Sequence, residues 1–98
     1  MKAVEILKAA RNHVAAPNGW TRGMFTRKRS GAPKGFACCA IGAIDLVEGS
    51  EWDERSKAVN ALEAAIGKGN SIIGFNDTAK SKKPVVDAFD RAIASLES

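Results

Sequence analysis

Residues 3–16 place Ala3, Leu7, Ala10 and Val14 at spacings of four, three and four, with Ile6 beside them. That is the stripe of an amphipathic helix. "APNG" at 16–19 ends it, because Pro17 disfavours helical geometry at Ala16 and Asn18-Gly19 is turn chemistry. In the next segment, "WTRGMFTRKRSGAPKG", Trp20, Thr21, Phe25 and Thr26 favour extended structure and Ser30-Gly31 suits a turn. A small two-stranded hairpin or a long ordered loop is expected there.

The run "FACCAIGAI" from Phe36 is apolar all round, a pattern shared by buried strands and buried helices. Alanines at 37, 40 and 43 favour helix, and "DLVEG" continues it to a stop near Gly49, so a central buried second helix is predicted over 36–48. Gly42 inside it costs about 1 kcal/mol relative to alanine, which points to close approach by another backbone. Ser50 is a suitable N-cap for a third helix, with Glu51, Asp53 and Glu54 near its positive end. Trp52, Val59, Leu62 and Ile66 form its buried stripe, and "GKG" at 67–69 stops it. "NSIIGFND" is too short for more than about a turn of helix, and Ile72, Ile73 and Phe75 read as a plug into the core. A last helix is capped by Ser81, tolerates Pro84 in its first turn, and buries Val85 or Val86, Phe89, Ile93 and Leu96. The expected fold is mainly α: one compact domain over residues 1–98, with four to five helices and a short β-hairpin or ordered loop between the first two.

Composition supports a globular chain: of 98 residues, 45% are hydrophobic and 27% charged. Charge adds more. The formal net charge is +4, and its distribution is uneven. Arg22, Arg27, Lys28, Arg29 and Lys34 fall in a stretch without acids, and "KSKK" adds Lys80, Lys82 and Lys83. Asp45, Glu48, Glu51, Asp53 and Glu54 fall in a stretch without bases. Charges at Lys2, Glu5, Lys8 and Arg11 interrupt the first helix, unlike the apolar core of a signal peptide. No stretch approaches the roughly 20 apolar residues of a bilayer span. The expectation is a cytoplasmic protein with reduced thiols and no membrane partner.

Three kinds of chemistry are open to these residues. Cys38 or Cys39, near the start of the second helix, would make a cysteine hydrolase if paired with His13 and oriented by Asn76 or Asp77. Against that, an apolar run raises thiol pKa and excludes substrate, and free cysteine is commonly buried. Two cysteines and one histidine lack zinc-site spacing, and no phosphate loop or dinucleotide fingerprint occurs, so no metal or cofactor is expected. The basic loop 22–34 with Lys80–Lys83 is a candidate nucleic-acid contact, Trp20 or Phe25 stacking on bases. Asn76 and Asp77 read most simply as local turn-fixing residues.

The order "GWTRG", basic turn, "CCAIGAI", amphipathic helix, "SIIGFND", "VVDAFDRAI" resembles a family of small proteins of unknown function from actinobacteria and their bacteriophages. Trp20, Gly23, Cys39, Ile41, Gly42, Ala43, Phe75, Asn76, Asp77, Phe89 and Ala92 carry the likeness, Cys38 standing beside them. Phe75 stands where that pattern often has tryptophan. The resemblance implies a mainly helical fold, a phage or bacterial cytoplasmic setting and no particular reaction. The favoured expectation is a non-enzymatic interaction protein binding a host protein through a charged surface, which predicts an exposed apolar or aromatic patch, Met24 and Phe25 being candidates for it, rimmed by charge. Nucleic-acid binding stands second, with Arg22, Arg27, Lys28, Arg29, Lys34, Lys80, Lys82 and Lys83 as its bases, and the cysteine hydrolase third.

Overall fold

A computed structural model describes residues 1–67 and 69–98. In chain order the elements are α1 (Ala3–Ala15), β1 (Thr26–Lys28), β2 (Phe36–Cys38), α2 (Ala40–Asp45), α3 (Trp52–Ile66), α4 (Ile72–Thr78) and α5 (Lys83–Glu97). The architecture is mainly helical, with five helices and a two-stranded antiparallel sheet between α1 and α2.

The amphipathic stripe of α1 buries Ile6, Leu7, Ala10 and Val14 completely. Its first amides are taken by carboxylates: Lys2 N–H donates to Glu5 Oε1 at 2.9 Å, and Ala3 N–H to Glu54 Oε1 of α3 at 3.0 Å. Helix α5 places Val85, Ala88, Phe89 and Ala92 against α1 and α3, with Pro84 in its first turn. Between these helices lie Ile44 of α2 and Leu62 of α3, both buried. Burial of a Leu, Ile or Phe side chain contributes roughly 1.5–3 kcal/mol, so this cluster carries most of the fold's stability.

The second helix departs from expectation. Phe36–Cys38 is strand, Cys39 caps, and α2 occupies only Ala40–Asp45. The main chain of Cys38 is engaged laterally, its N–H donating to Gly19 O at 2.8 Å and its carbonyl accepting from Thr21 N–H at 3.1 Å. A residue bonded sideways in this way cannot also join a helical ladder. Alanine propensity, worth tenths of a kcal/mol per residue, yields to that pairing. The hairpin does form, with Arg27 opposite Ala37, but its second strand comes from the run assigned to helix two.

Smaller corrections follow from helix geometry. Trp52 is 77% exposed, because Ala58, Leu62 and Ile66 define the buried face of α3 and Trp52, at the first position of the helix, lies about 80° from the centre of that face. The cap position of α3 is Glu51; Ser50 Oγ donates instead to Val47 O at 3.1 Å. The "SIIGFND" segment forms a full short helix, capped by Ser71 Oγ accepting from Gly74 N–H at 2.9 Å. Ile72 is buried there, while Ile73 is 46% exposed and Phe75 half-buried. The cap of α5 is Lys82 rather than Ser81, and Leu96 is exposed. Of the predicted stop at 67–69, Gly67 ends α3 with φ 93°, and Lys68 lies outside the described residues.

Basic side chains close the helix ends. Lys82 Nζ donates to Ala15 O and Ala16 O after α1, Lys34 Nζ to Leu46 O after α2, Arg91 Nη2 to Ala65 O near the end of α3, and Arg22 Nη1 to Ala79 O after α4. Each cation meets carbonyls left without helical partners at the negative end of a helix dipole. Part of the chain's positive charge is thus structural.

Candidate functional site

The residues of the sequence pattern converge on one buried amide. Asn76, fully buried on α4, accepts at Oδ1 from Trp20 Nε1 at 2.9 Å and from Ala40 N–H at 3.1 Å. Its Nδ2 donates to Thr21 O at 3.0 Å. The next residue, Asp77, accepts from Gly23 N–H at 2.9 Å. Together the pair ties the 20–23 segment to the start of α2. The expected local role of Asn76 and Asp77 is therefore corrected: both act across more than fifty positions of chain.

Cys39 and Gly42 complete this junction. Cys39 caps α2, its Sγ accepting from Gly42 N–H at 3.4 Å. A side chain on Gly42 would collide with the Phe25 carbonyl, so glycine lets the hairpin lie directly on the helix. The close approach inferred from the sequence is present. Above the junction, Gly23, Met24, Phe25, Cys39, Ile73 and Asp77 surround a recess of about 210 Å³. Met24 is 50% and Phe25 55% exposed, so with Ile73 they form an apolar surface. A second shallow recess of about 190 Å³ continues past Ile73 to Ile41 and Val59. Ile73 was expected in the core; adjacent residues Ile72 and Ile73 on a helix point about 100° apart, a signal that one must face outward.

The eight candidate bases divide by partner. Arg22, Lys34 and Lys82 bond helix-end carbonyls, Arg22 also lying over the Trp20 ring at 5.9 Å, and Lys83 pairs with Asp87 at 3.1 Å. The side chains of Arg27, Lys28, Arg29 and Lys80 make no hydrogen bond or ion pair among the described residues. Arg27 and Lys28 lie on β1 and Arg29 directly after it, and the three border an open recess of their own.

The cysteines sit in a different chemical setting from the hydrolase expectation. His13 Nε2 lies 3.4 Å from Cys38 Sγ and 2.8 Å from Phe36 O. A carbonyl oxygen only accepts, so Nε2 carries the proton and donates to it. That nitrogen has no lone pair left to take a proton from the thiol. Burial pushes the Cys38 thiol up to about 11, with the neighbouring Cys39 adding to the rise. Burial also raises the Cys39 thiol, against the lowering effect of the Gly42 and Ile41 amides. Both thiols are therefore protonated at neutral pH, and Asn76 and Asp77 bond elsewhere. Among the described residues no cluster of three or more His, Cys, Asp or Glu side chains is placed to hold a metal ion.

The class defined so far is a small, mainly helical protein in which a buried asparagine pins a loop and hairpin onto two short helices. Residues 1–95 match DUF6197, a family of unknown function, and the chain belongs to that family. No curated protein and no solved structure matches the chain. Among the described residues no helix is long and apolar enough to cross a membrane.

Proposed function

We propose that the chain is a non-enzymatic interaction protein that binds a partner protein through Met24, Phe25 and Ile73. The carrying observation is that three exposed apolar side chains meet around one recess, which Gly23, Cys39 and Asp77 also line, Asp77 holding the Gly23 amide. Apolar residues at the surface are common singly, but a group on a rigid base with charge at its margin has the anatomy of an interface. The sequence likeness to phage and actinobacterial proteins supports a bacterial cytoplasmic setting, with a host protein as partner and the chain as an accessory factor.

Affinity capture from bacterial lysate tests this, comparing the tagged protein with Phe25→Ser and Ile73→Ser, with and without nuclease. The reading expects a stoichiometric protein that survives nuclease and is lost with either variant. A protein retained equally by both variants contradicts it.

The second reading is nucleic-acid binding, favoured by the uncompensated Arg27, Lys28 and Arg29. It expects recovered nucleic acid, and an affinity that falls steeply with salt and flattens when these three become alanine. An unchanged salt slope removes it.

A further inference from the structure

The hairpin has one open edge. The bonds from Cys39 N–H to Phe25 O and from Arg29 N–H to Gly35 O, each 3.0 Å, make residues 25, 27 and 29 the hydrogen-bonded positions of the β1–β2 ladder. Thr26 and Lys28 alternate with them, so their N–H and C=O groups point away from β2. On the far side of β2 the corresponding groups of Cys38 are met by Gly19 and Thr21. Beyond β1, no group among the described residues hydrogen-bonds the main chain of Thr26 or Lys28.

The same edge carries the uncompensated charge. Lys8, Arg11, Arg55, Lys57 and Lys83 each have an acidic partner, whereas Arg27, Lys28 and Arg29 have none among the described residues. Charged side chains on an edge strand guard it against other strands, since docking an apolar or basic strand would strip or repel those charges. A strand bearing carboxylates reverses that effect. Alternation puts Phe25, Arg27 and Arg29 on one sheet face, so the apolar recess lies at one end of the row that presents the arginines.

From this we infer that β1 accepts an extended acidic peptide from the partner protein as a third strand. The peptide's main chain bonds Thr26 and Lys28, its carboxylates meet Arg27, Lys28 and Arg29, and one apolar side chain enters the recess at Met24, Phe25 and Ile73. This rests on the interaction reading above and adds the chemistry of the ligand and its mode of docking.

The test selects short random peptides on the intact protein and synthesises those that bind. Selected sequences should be acidic with an apolar residue at one end and no central proline. Binding should slow hydrogen exchange at the Thr26 and Lys28 amides, and methylating alternate peptide nitrogens should weaken it about tenfold or more, while methylating the intervening ones does not. Lys28→Glu and Arg27→Glu, both on an exposed strand, should each lower affinity about tenfold. Peptides that bind without protecting Thr26 and Lys28 overturn strand addition; if Phe25→Ser still abolishes their binding, the interaction reading survives. Failure to select any peptide also overturns strand addition, leaving lysate capture to decide the broader reading. Self-association abolished by Lys28→Glu would assign the edge to a second copy and overturn the proposal.

Discussion

Residues 20–23 and residues 24–29 are adjacent in the chain and opposite in bonding. In the first group the Trp20 indole and Thr21 carbonyl bond Asn76, the Arg22 guanidinium bonds Ala79 O, and the Gly23 amide bonds Asp77. In the second group Met24 and Phe25 are exposed, and Arg27, Lys28 and Arg29 have no side-chain partner among the described residues. One group holds the surface in place and the other is the surface. A basic, aromatic stretch that reads as uniform in sequence is thus divided by a single buried amide.

Breaking the held group should cost most. Asn76→Ala removes the hydrogen bonds with Trp20, Ala40 and Thr21 and leaves the Trp20 indole, the Ala40 amide and the Thr21 carbonyl short of partners, so a loss of about 3 kcal/mol is expected in urea unfolding. A loss below about 1 kcal/mol would show that water replaces the side chain without penalty. Gly42→Ala forces the hairpin off α2, an overpacking cost of about 2 kcal/mol by the same measurement. Lys82→Met keeps the aliphatic stem but leaves Ala15 and Ala16 without their cation, and should cost about 1 kcal/mol.

Alkaline pH probes the buried thiols, the cysteine variant isolating their share. Because burial raises the Cys38 pKa from 9.0 to about 11, the folded protein keeps a proton that the unfolded chain gives up more readily. Its contribution to stability is complete below pH 9 and is lost as pH rises toward 11. Cys38→Ala should make that alkaline decline shallower, the raised Cys39 thiol supplying part of the remainder. The smallest effect belongs to the presented group. Replacing Arg27, Lys28 and Arg29 together by serine should change stability by no more than about 0.5 kcal/mol while removing partner binding. A large destabilisation would place those bases in the fold rather than at an interface.

The division was only partly legible in the sequence. Helices α1, α3 and α5 are evident from their periodic apolar positions, and Gly42 announced a close backbone approach. The run from Phe36 carried no periodicity, being buried on every side, so only its pairing with Gly19, Thr21 and Phe25 fixes where strand gives way to helix. Trp52 and Ile73 are large apolar residues near the buried faces of their helices, and hydrophobicity alone places them inside. Asn76 acts over more than fifty positions, which no local pattern encodes. Met24, Phe25 and the three bases were identified as candidates by type; Ile73, which completes the surface, was not. The carbonyl partners of Arg22, Lys34 and Lys82 depend on where helices end in space, so the sequence presented all eight bases as alike.

Hydrogen exchange at individual amides of the isolated protein, followed by NMR, tests the contrast most directly. Gly23 and Ala40, bonded to Asp77 and Asn76, and Arg27, bonded within the ladder, should exchange slowly, while Thr26 and Lys28 exchange rapidly. Thr26 and Lys28 amides as slow as that of Arg27 would mean the outer edge of β1 is already covered, contradicting the account.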